Sequence, residues 1–201
     1  MNNSGMKPFV VGVFGMIGAG KSSVVSLFAD KGFVTWDADS AVSRLYEPGG
    51  AGAKKIGDYF DRALIKKDGS VSKLKLAKMV LGNNHKMRIL EQLIHPLLIN
   101  EVQRWIDVQR QKGDMKLVLE ASAFETEGLA KFTDVLVRVT APVELCRERV
   151  LARGKDLVYF EAMLKNVRDY ATSYEIVNNG SFEDLKKGFE KVYTAITMGQ
   201  T

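Results

Sequence analysis

Apolar residues fall along this chain in two kinds of pattern, short unbroken runs and longer stretches with helical spacing. The run Phe9–Phe14 is rich in Val and Phe without polar alternation, which is typical of a strand buried on both faces of a parallel sheet. After it, apolar residues from Val24 to Phe28 repeat at helical spacing, and Gly32 supplies a stop signal. The chain is therefore predicted to begin with a strand, a loop and a helix.

Later apolar runs extend this pattern into an alternation of strands and helices. Further short strands are predicted at 33–36, 116–119, 135–139 and 175–177. Pro142 opens one helix after the fourth strand, and Ser181 precedes the final helix. This order predicts an α/β fold with a five-stranded parallel sheet.

The long segment between Trp36 and Lys116 contains nothing strand-like. Helices are predicted there at 40–46, at 53–60, after Ser72 as N-cap, and from about 86 onward. Pro96 should interrupt the last of these, because proline disfavours helical backbone at the residue before it. A helical insertion therefore separates the second strand from the third.

The stretch Gly15-Met-Ile-Gly-Ala-Gly-Lys21-Ser22 lies between the first strand and the first helix. It satisfies the complete pattern G-x-x-x-x-G-K-[ST] of a phosphate-binding P-loop. Backbone N–H groups and the helix N-terminus would bind phosphate oxygens, Lys21 would reach the β- and γ-phosphates, and Ser22 would ligate Mg²⁺. The predicted nucleotide-binding residues are Gly15, Met16, Ile17, Gly18, Ala19, Gly20, Lys21, Ser22 and Ser23.

Carboxylates are predicted at the ends of two strands. Asp37 and Asp39 follow the second strand and Glu120 ends the third, at the sheet edge where ligands of open parallel sheets bind. Such groups can organise Mg²⁺ or accept a proton from an attacking hydroxyl. Alternatively, Asp39 caps the helix that begins at Ser40, and Glu120 is a solvated strand end.

The helix after Pro142 carries Arg149 and Arg153, which share one face because they are four residues apart. They are candidates for contact with a nucleotide, although a solvated basic face has the same spacing. The single cysteine, Cys146, lies among apolar residues of this helix and is predicted to be a core residue.

Length and charge restrict the possible functions. The 201 residues suit one α/β domain, and the formal net charge of +5 suits a polyanionic ligand. Lysine and arginine are spread along the whole chain and no nucleic-acid motif occurs, so nucleotide phosphates suffice to explain the charge. The lone cysteine and the lack of a membrane-length apolar stretch predict a cytoplasmic protein without membrane contact.

These motifs, in this order, resemble the dephospho-CoA kinase family over nearly the whole chain. The resemblance rests on Gly15 to Ser23, Asp37-Ala38-Asp39, Glu47-Pro48-Gly49, Asp68-Gly69-Ser70-Val71 with Leu76 and Val80, Leu90-Glu91 to His95-Pro96-Leu97, Arg149-x-x-x-Arg153, and Asn178-Asn179-Gly180. The P-loop occurs in many families. The aspartate pair followed by the His-Pro-Leu element is more specific.

The resemblance implies a three-layer P-loop kinase fold with a core at about 1–50, 114–153 and 173–201, an acceptor-binding helical insertion at about 51–113 and a short lid at about 154–172. It implies that ATP and dephospho-CoA are the substrates, and that Asp39 is the general base for the ribose 3′-hydroxyl. Further implied contacts are those of Asp37, His95 and Glu120 with the acceptor, Arg149 and Arg153 with ATP phosphates, and Asn178 and Asn179 near the adenine. A packed structural role is the alternative for His95, and the chain is expected to be a monomer or weak homo-oligomer.

Several positions depart from the family pattern. Met16 replaces a glycine of the P-loop, Ser43 stands where the family has Arg or His, and only the leading acid survives in Glu120-Ala-Ser-Ala-Phe-Glu-Thr126. The lid is several residues shorter, and Arg168 is a candidate for its missing phosphate contact. Two alternatives stay open, a kinase of another small acceptor such as a nucleoside monophosphate and a nucleotide-binding protein without catalysis.

Overall fold

The apolar runs form one five-stranded sheet, in a computed structural model that describes residues 7–122, 124, 128–155, 157–164 and 172–199. The strands are β1 Phe9–Phe14, β2 Val34–Asp37, β3 Lys116–Glu120, β4 Val135–Thr140 and β5 Tyr174–Val177. The strand predictions are confirmed, with bounds that differ by about one residue. The fold class is the predicted α/β class with a parallel sheet.

The strand order in the sheet is β2-β3-β1-β4-β5. β1 pairs in parallel with β3 and β4, and β4 pairs in parallel with β5. Val13 stands opposite Glu120, and Thr140 stands opposite Val177. The carboxyl ends of these strands therefore meet at one edge of the sheet, where open α/β folds bind their ligands.

The helices of the described residues are α1 Lys21–Asp30, α2 Ala38–Leu45, α3 Ala51–Tyr59, α4 Lys73–Val80, α5 Asn84–Lys112, α6 Val143–Ala152, α7 Leu157–Leu164 and α8 Phe182–Met198. Gly32 follows α1 with a positive φ of 85°, as its predicted stop role requires. Ser181 caps α8 in a reciprocal capping box with Asp184. None of the helices in the described ranges has the length and apolar character of a transmembrane span.

The chain divides into two compact units, the first from Met1–Trp36 and Ile106–Thr201 and the second from Asp37–Trp105. In the first unit, one face of the sheet contributes Val11, Val118 and Val137 to a core completed by residues of α1, α6, α7 and α8. Val10 and Leu117, which alternate with these residues, are also buried. The central strands are therefore buried on both faces, as their unbroken apolar runs predicted.

The second unit has its own apolar core, formed by Ala53, Ile56, Leu64, Val71, Leu76, Val80 and Ile94. A two-residue bridge between Ile65 and Val71 closes the turn at Asp68, whose carboxylate accepts hydrogen bonds from the backbone N–H and hydroxyl of Ser70. The turn predicted at Asp68-Gly69-Ser70 is confirmed. Ser72 precedes α4 as predicted, but its side chain makes no capping hydrogen bond.

The predicted interruption at His95-Pro96 is wrong, because α5 continues through Pro96. Proline has no N–H to donate to the carbonyl four residues earlier, which destabilises a helix interior. However, apolar residues on both sides of Pro96, such as Leu93, Ile94 and Leu97, pack on the core of the second unit. This packing keeps both halves of the helix in place and offsets the lost hydrogen bond.

Phe28→Ala should destabilise the first unit more than any exposed substitution. The Phe28 ring is fully buried and packs edge-to-face against Phe33 and Phe189 at centroid distances of 5.1 and 4.9 Å. Loss of such a ring leaves a cavity and costs about 3–5 kcal/mol in the free energy of unfolding. Denaturant titration checks this value, with the exposed Phe182→Ala as control; equal effects of the two changes would contradict the assignment of the core.

Candidate active site

Polar groups from distant parts of the first unit gather at the carboxyl edge of its sheet. The P-loop follows β1, Glu120 ends β3, and Asn178 follows β5. These elements are adjacent because β1 lies between β3 and β4, and β4 pairs with β5. The sheet order therefore assembles one site from segments that are far apart in sequence.

The P-loop conformation requires its glycines. Gly15, Gly18 and Gly20 all have positive φ, a region that residues with a Cβ rarely adopt. A Cβ at Gly15 would collide with the backbone carbonyl of Val139, and a Cβ at Gly18 would lie 2.5 Å from the Cys146 carbonyl oxygen. The loop therefore lies directly against β4 and α6, where only glycine fits.

Met16 occupies a position of the loop that tolerates a side chain. Among the described residues only glycines have positive φ, so Met16 has an ordinary backbone conformation. Its side chain and that of Ile17 pack against the core of the first unit, and Ala19 is fully buried in it. The departure from the glycine of the family pattern therefore adds apolar packing beneath the loop.

The N-terminus of α1 has the arrangement of an anion site. Gly20 occupies the N-cap position, and no side chain caps this helix end. Helix N-termini carry partial positive charge and present N–H groups to anions. Lys21, Ser22 and Ser23 form its first turn, so the structure brings the predicted phosphate-binding residues together.

The Ser22 hydroxyl donates a hydrogen bond of 2.9 Å to Oε1 of Glu120. The two residues are 98 positions apart in sequence, and each was a separate candidate for magnesium binding. A hydroxyl and a carboxylate are the hard oxygen ligands that Mg²⁺ takes in nucleotide sites. The described residues contain no group of three or more His, Cys, Asp or Glu side chains that could hold a metal ion.

Asn178 and Arg149 both donate hydrogen bonds to backbone carbonyls of the P-loop. The Asn178 side-chain amide donates to the carbonyl of Ala19 at 2.8 Å, and its backbone N–H donates to Thr140 at 2.7 Å. Arg149 Nη1 donates to the carbonyls of Gly18 and Asn178 at 3.3 and 3.2 Å. The loop before α8 is thereby joined to the P-loop through two side chains.

Arg153 and Asn179 lie in more exposed places than these two. Arg153 is exposed at the C-terminus of α6 and lines a cavity of about 170 Å³ together with Gly20, Ser23 and Asn178. Asn179 is exposed beside the buried Asn178. A cavity bordered by the P-loop and by Arg153 suits part of a phosphorylated ligand.

Cys146 has the structural role that its surroundings predicted. It is fully buried beneath the P-loop. Burial raises the pKa of its thiol above the ordinary value, although the charges of Arg149 and Lys21 oppose that shift. A thiol that stays protonated is a poor nucleophile, so Cys146 serves packing.

In the second unit, the alternative interpretation of Asp39 as the cap of α2 is wrong. Asp37 is the N-cap, and its carboxylate accepts hydrogen bonds from the backbone N–H groups of Asp39 and Ser40 at 3.3 and 2.8 Å. Helix α2 begins two residues earlier than the apolar pattern indicated. Asp39 therefore lies in the first turn with an exposed side chain, where a negative charge also interacts favourably with the helix dipole.

The remaining predicted residue of this unit, His95, is half-buried within α5. His95 lies on a continuous helix, whereas the proline after it suggested a loop or a helix break at this point. Arg168 lies outside the described residues, as do 123 and 125–126 of the segment Glu120 to Thr126 and, within the predicted lid, 156 and 165–171.

Sequence reasoning missed a hydrogen-bonded chain beside Asp39. Ser43 donates to the Asp39 backbone carbonyl at 2.8 Å and accepts from Lys73 Nζ at 2.8 Å. In addition, Arg44 Nε donates to Oε1 of Glu101 at 3.1 Å. The spacing of Asp39 and Ser43 predicts a shared helix face, but nothing in the sequence indicates that Lys73 reaches it.

The family model of dephospho-CoA kinase matches residues 9–175. This chain belongs to the dephospho-CoA kinase family. It is 32% identical to the dephospho-CoA kinase of Aquifex aeolicus over 193 residues, which cover 93% of this chain and 97% of that protein. It is 39% identical to the dephospho-CoA kinase of Mesorhizobium japonicum over 145 residues, covering 72% and 71% of the two chains.

Solved structures share the fold of this dephospho-CoA kinase family member. TT1252 from Thermus thermophilus has a TM-score of 0.76 at 23% identity and covers 94% of this chain and 98% of its own. The dephospho-CoA kinase from Campylobacter jejuni has a TM-score of 0.61 at 20% identity, covering 95% and 98%. Shikimate kinase from Acinetobacter baumannii has a TM-score of 0.56 at 16% identity, covering 96% and 94%. The three-layer P-loop kinase fold is confirmed.

Asn178→Ala should destabilise the P-loop and the protein. It removes the donor to the Ala19 carbonyl, and a buried acceptor without a partner costs about 1–3 kcal/mol. We expect that loss in denaturant titration, with weaker ATP binding in calorimetry. Asn179→Ala, which changes the exposed neighbour, is the control for stability, and an equal loss in both variants would contradict the bracing role of Asn178.

Asp37→Ala should lower the free energy of unfolding by about 1 kcal/mol because it removes the N-cap of α2. Asp39→Ala should cost less than Asp37→Ala, since the Asp39 carboxylate is not the cap of the helix. Thermal unfolding of both variants measures the difference. If Asp39→Ala proved the more destabilising change, the assignment of the cap would be reversed.

Proposed function

We propose that this chain transfers the γ-phosphate of ATP to the ribose 3′-hydroxyl of dephospho-CoA, which forms coenzyme A and ADP. Membership of the dephospho-CoA kinase family gives the reaction class. The observation that carries the proposal further is the position of Asp39. Because Asp37 performs the capping of α2, Asp39 is not needed as the cap, and its side chain is exposed in the first turn of that helix.

The first unit binds the nucleotide in this proposal. Its P-loop N–H groups and the N-terminus of α1 receive the phosphates, and Lys21 places its ammonium on the β- and γ-phosphate oxygens. Ser22 and Glu120, whose oxygens lie 2.9 Å apart, would hold Mg²⁺. The cation would neutralise phosphate charge and orient the triphosphate.

Arg149 in α6 and Arg153, which follows the last residue of α6, have different tasks. Arg149 is engaged with Gly18 and Asn178, so it holds the shape of the loop that binds phosphate. Arg153 is exposed on the same cavity and is the better candidate for direct contact with ATP phosphates. A cation placed there would stabilise charge that develops on the transferred group. Asn179 is assigned to the adenine side of this site.

Asp39 is the general base of the reaction. Its carboxylate accepts the proton of the 3′-hydroxyl as that oxygen attacks the γ-phosphorus and ADP departs. The acceptor lies on the helical insertion, for which Asp37 and His95 supply further contacts. The lid at about 154–172 would shield the site from water, as lids of phosphotransferases do.

The test of this function is incubation of the purified protein with ATP, magnesium and separate acceptors, followed by mass spectrometry. We expect dephospho-CoA to gain one phosphate at the 3′-position. Adenosine monophosphate and shikimate serve as competing acceptors. Phosphorylation of one of these in place of dephospho-CoA would assign the chain to a different acceptor class.

Asp39→Asn should lower the turnover of dephospho-CoA by about 10²–10⁴-fold, the usual contribution of a general base. An amide cannot accept the proton at neutral pH, and Asp37 still caps the helix, so stability and ATP affinity should hardly change. Steady-state kinetics and calorimetry measure these effects. Asp30→Asn, at an exposed position on α1, is the control; normal turnover of Asp39→Asn would leave the proton to another acceptor.

A further inference from the structure

A cavity of about 390 Å³ lies in the second unit, beside α2 and α4. It is lined by Ser43, Tyr46, Glu47, Lys66, Ser70, Val71, Ser72, Lys73 and Leu74. The polar groups of the lining residues are four hydroxyls, the two ammonium groups of Lys66 and Lys73, and the carboxylate of Glu47, while Val71 and Leu74 add apolar surface. Its volume lies within the range of small-molecule sites. Its hydrogen-bond donors and positive charge suit a phosphorylated ligand rather than an apolar one.

Lys73 connects this cavity to the residue assigned as the base. Its Nζ donates to Ser43, and Ser43 in turn donates to the backbone carbonyl of Asp39. An ammonium group has three donors, so Lys73 retains donors for an anion after its bond to Ser43. Ser43 and Asp39 are one helical turn apart, which separates their side chains by about 5–6 Å.

The acceptor molecule has the same spacing between its reacting and anionic groups. In dephospho-CoA, the 3′-hydroxyl and the 5′-diphosphate are attached to one ribose, with only C3′, C4′ and C5′ between the two oxygens. An acceptor that presents its 3′-hydroxyl to Asp39 therefore carries its diphosphate about one helical turn away. The side chain one turn from Asp39 is that of Ser43, which accepts a hydrogen bond from Lys73.

We propose that Lys73 binds the 5′-diphosphate of the acceptor in this cavity and so places the 3′-hydroxyl at Asp39. The inference rests on the proposed function. Lys66, on the turn before α4, adds a second positive charge to the same site. Tyr46 stays a protonated donor there, because burial raises its pKa to about 12. The site selects acceptors with a diphosphate over nucleosides that lack one.

The test compares Lys73→Ala with Lys78→Ala, an exposed lysine of the same helix outside the cavity. We expect Lys73→Ala to raise the KM for dephospho-CoA about tenfold, as for loss of one charge-assisted contact. Its kcat at saturating dephospho-CoA should stay near that of the wild type. Lys73→Arg should restore most of the affinity, and calorimetry with dephospho-CoA should show the same order without turnover.

The Ser43→Ala variant distinguishes a role of Lys73 in binding the acceptor from a role in supporting α2. It removes the hydroxyl that joins Lys73 to Asp39 but keeps the ammonium, so KM should change less than in Lys73→Ala. A loss of kcat that is equal in Lys73→Ala and Ser43→Ala, with unchanged KM, would overturn the proposal and leave Lys73 a structural residue. Equal KM values in Lys73→Ala and Lys78→Ala would also overturn it. Wild-type protein that does not phosphorylate dephospho-CoA would instead refute the proposed function.

Discussion

The close contact of the P-loop backbone with its neighbours is the constraint on which the nucleotide site depends. At Gly15 and Gly18 the backbone of β4 and α6 occupies the space that a side chain would need, and at Gly20 the Asn178 side chain does so. Side chains at these three positions would therefore disrupt the conformation of the loop that precedes α1. Phosphate-binding N–H groups that are already in place lose little entropy when the ligand binds.

Several candidate residues of this protein work in pairs, in which one side chain positions another. Asp37 caps α2, so Asp39 is not needed as the cap of that helix. Asn178 bonds the loop that carries Lys21, and Arg149 bonds both Asn178 and that loop. Loss of activity on mutation therefore does not by itself distinguish a chemical role from a positioning role. Stability, affinity and turnover have to be measured together for each member of a pair.

The departures from the family pattern acquire physical explanations in the two units. Met16 has ordinary backbone geometry and packs on the core, so a glycine is not required at that position. Ser43, where the family has Arg or His, receives a hydrogen bond from Lys73. A positive charge beside α2 is thus supplied from another helix. The local electrostatics are preserved despite a substitution at one position when a neighbouring element provides the missing charged group.

The sequence by itself determined where the strands, most helices and the P-loop lie, and that Asp37 and Asp39 follow the second strand. These features depend on periodicity and local motifs, which involve residues close together in the chain. The sequence did not determine that α5 passes through Pro96, which packing decides, or that Asp37 is the cap, which depends on a two-residue shift of the start of α2. Only the tertiary structure paired Ser22 with Glu120, Asn178 with Ala19 and Lys73 with Ser43. Such pairs depend on strand order and on the packing of distant helices, and neither can be deduced from the spacing of residues along the chain.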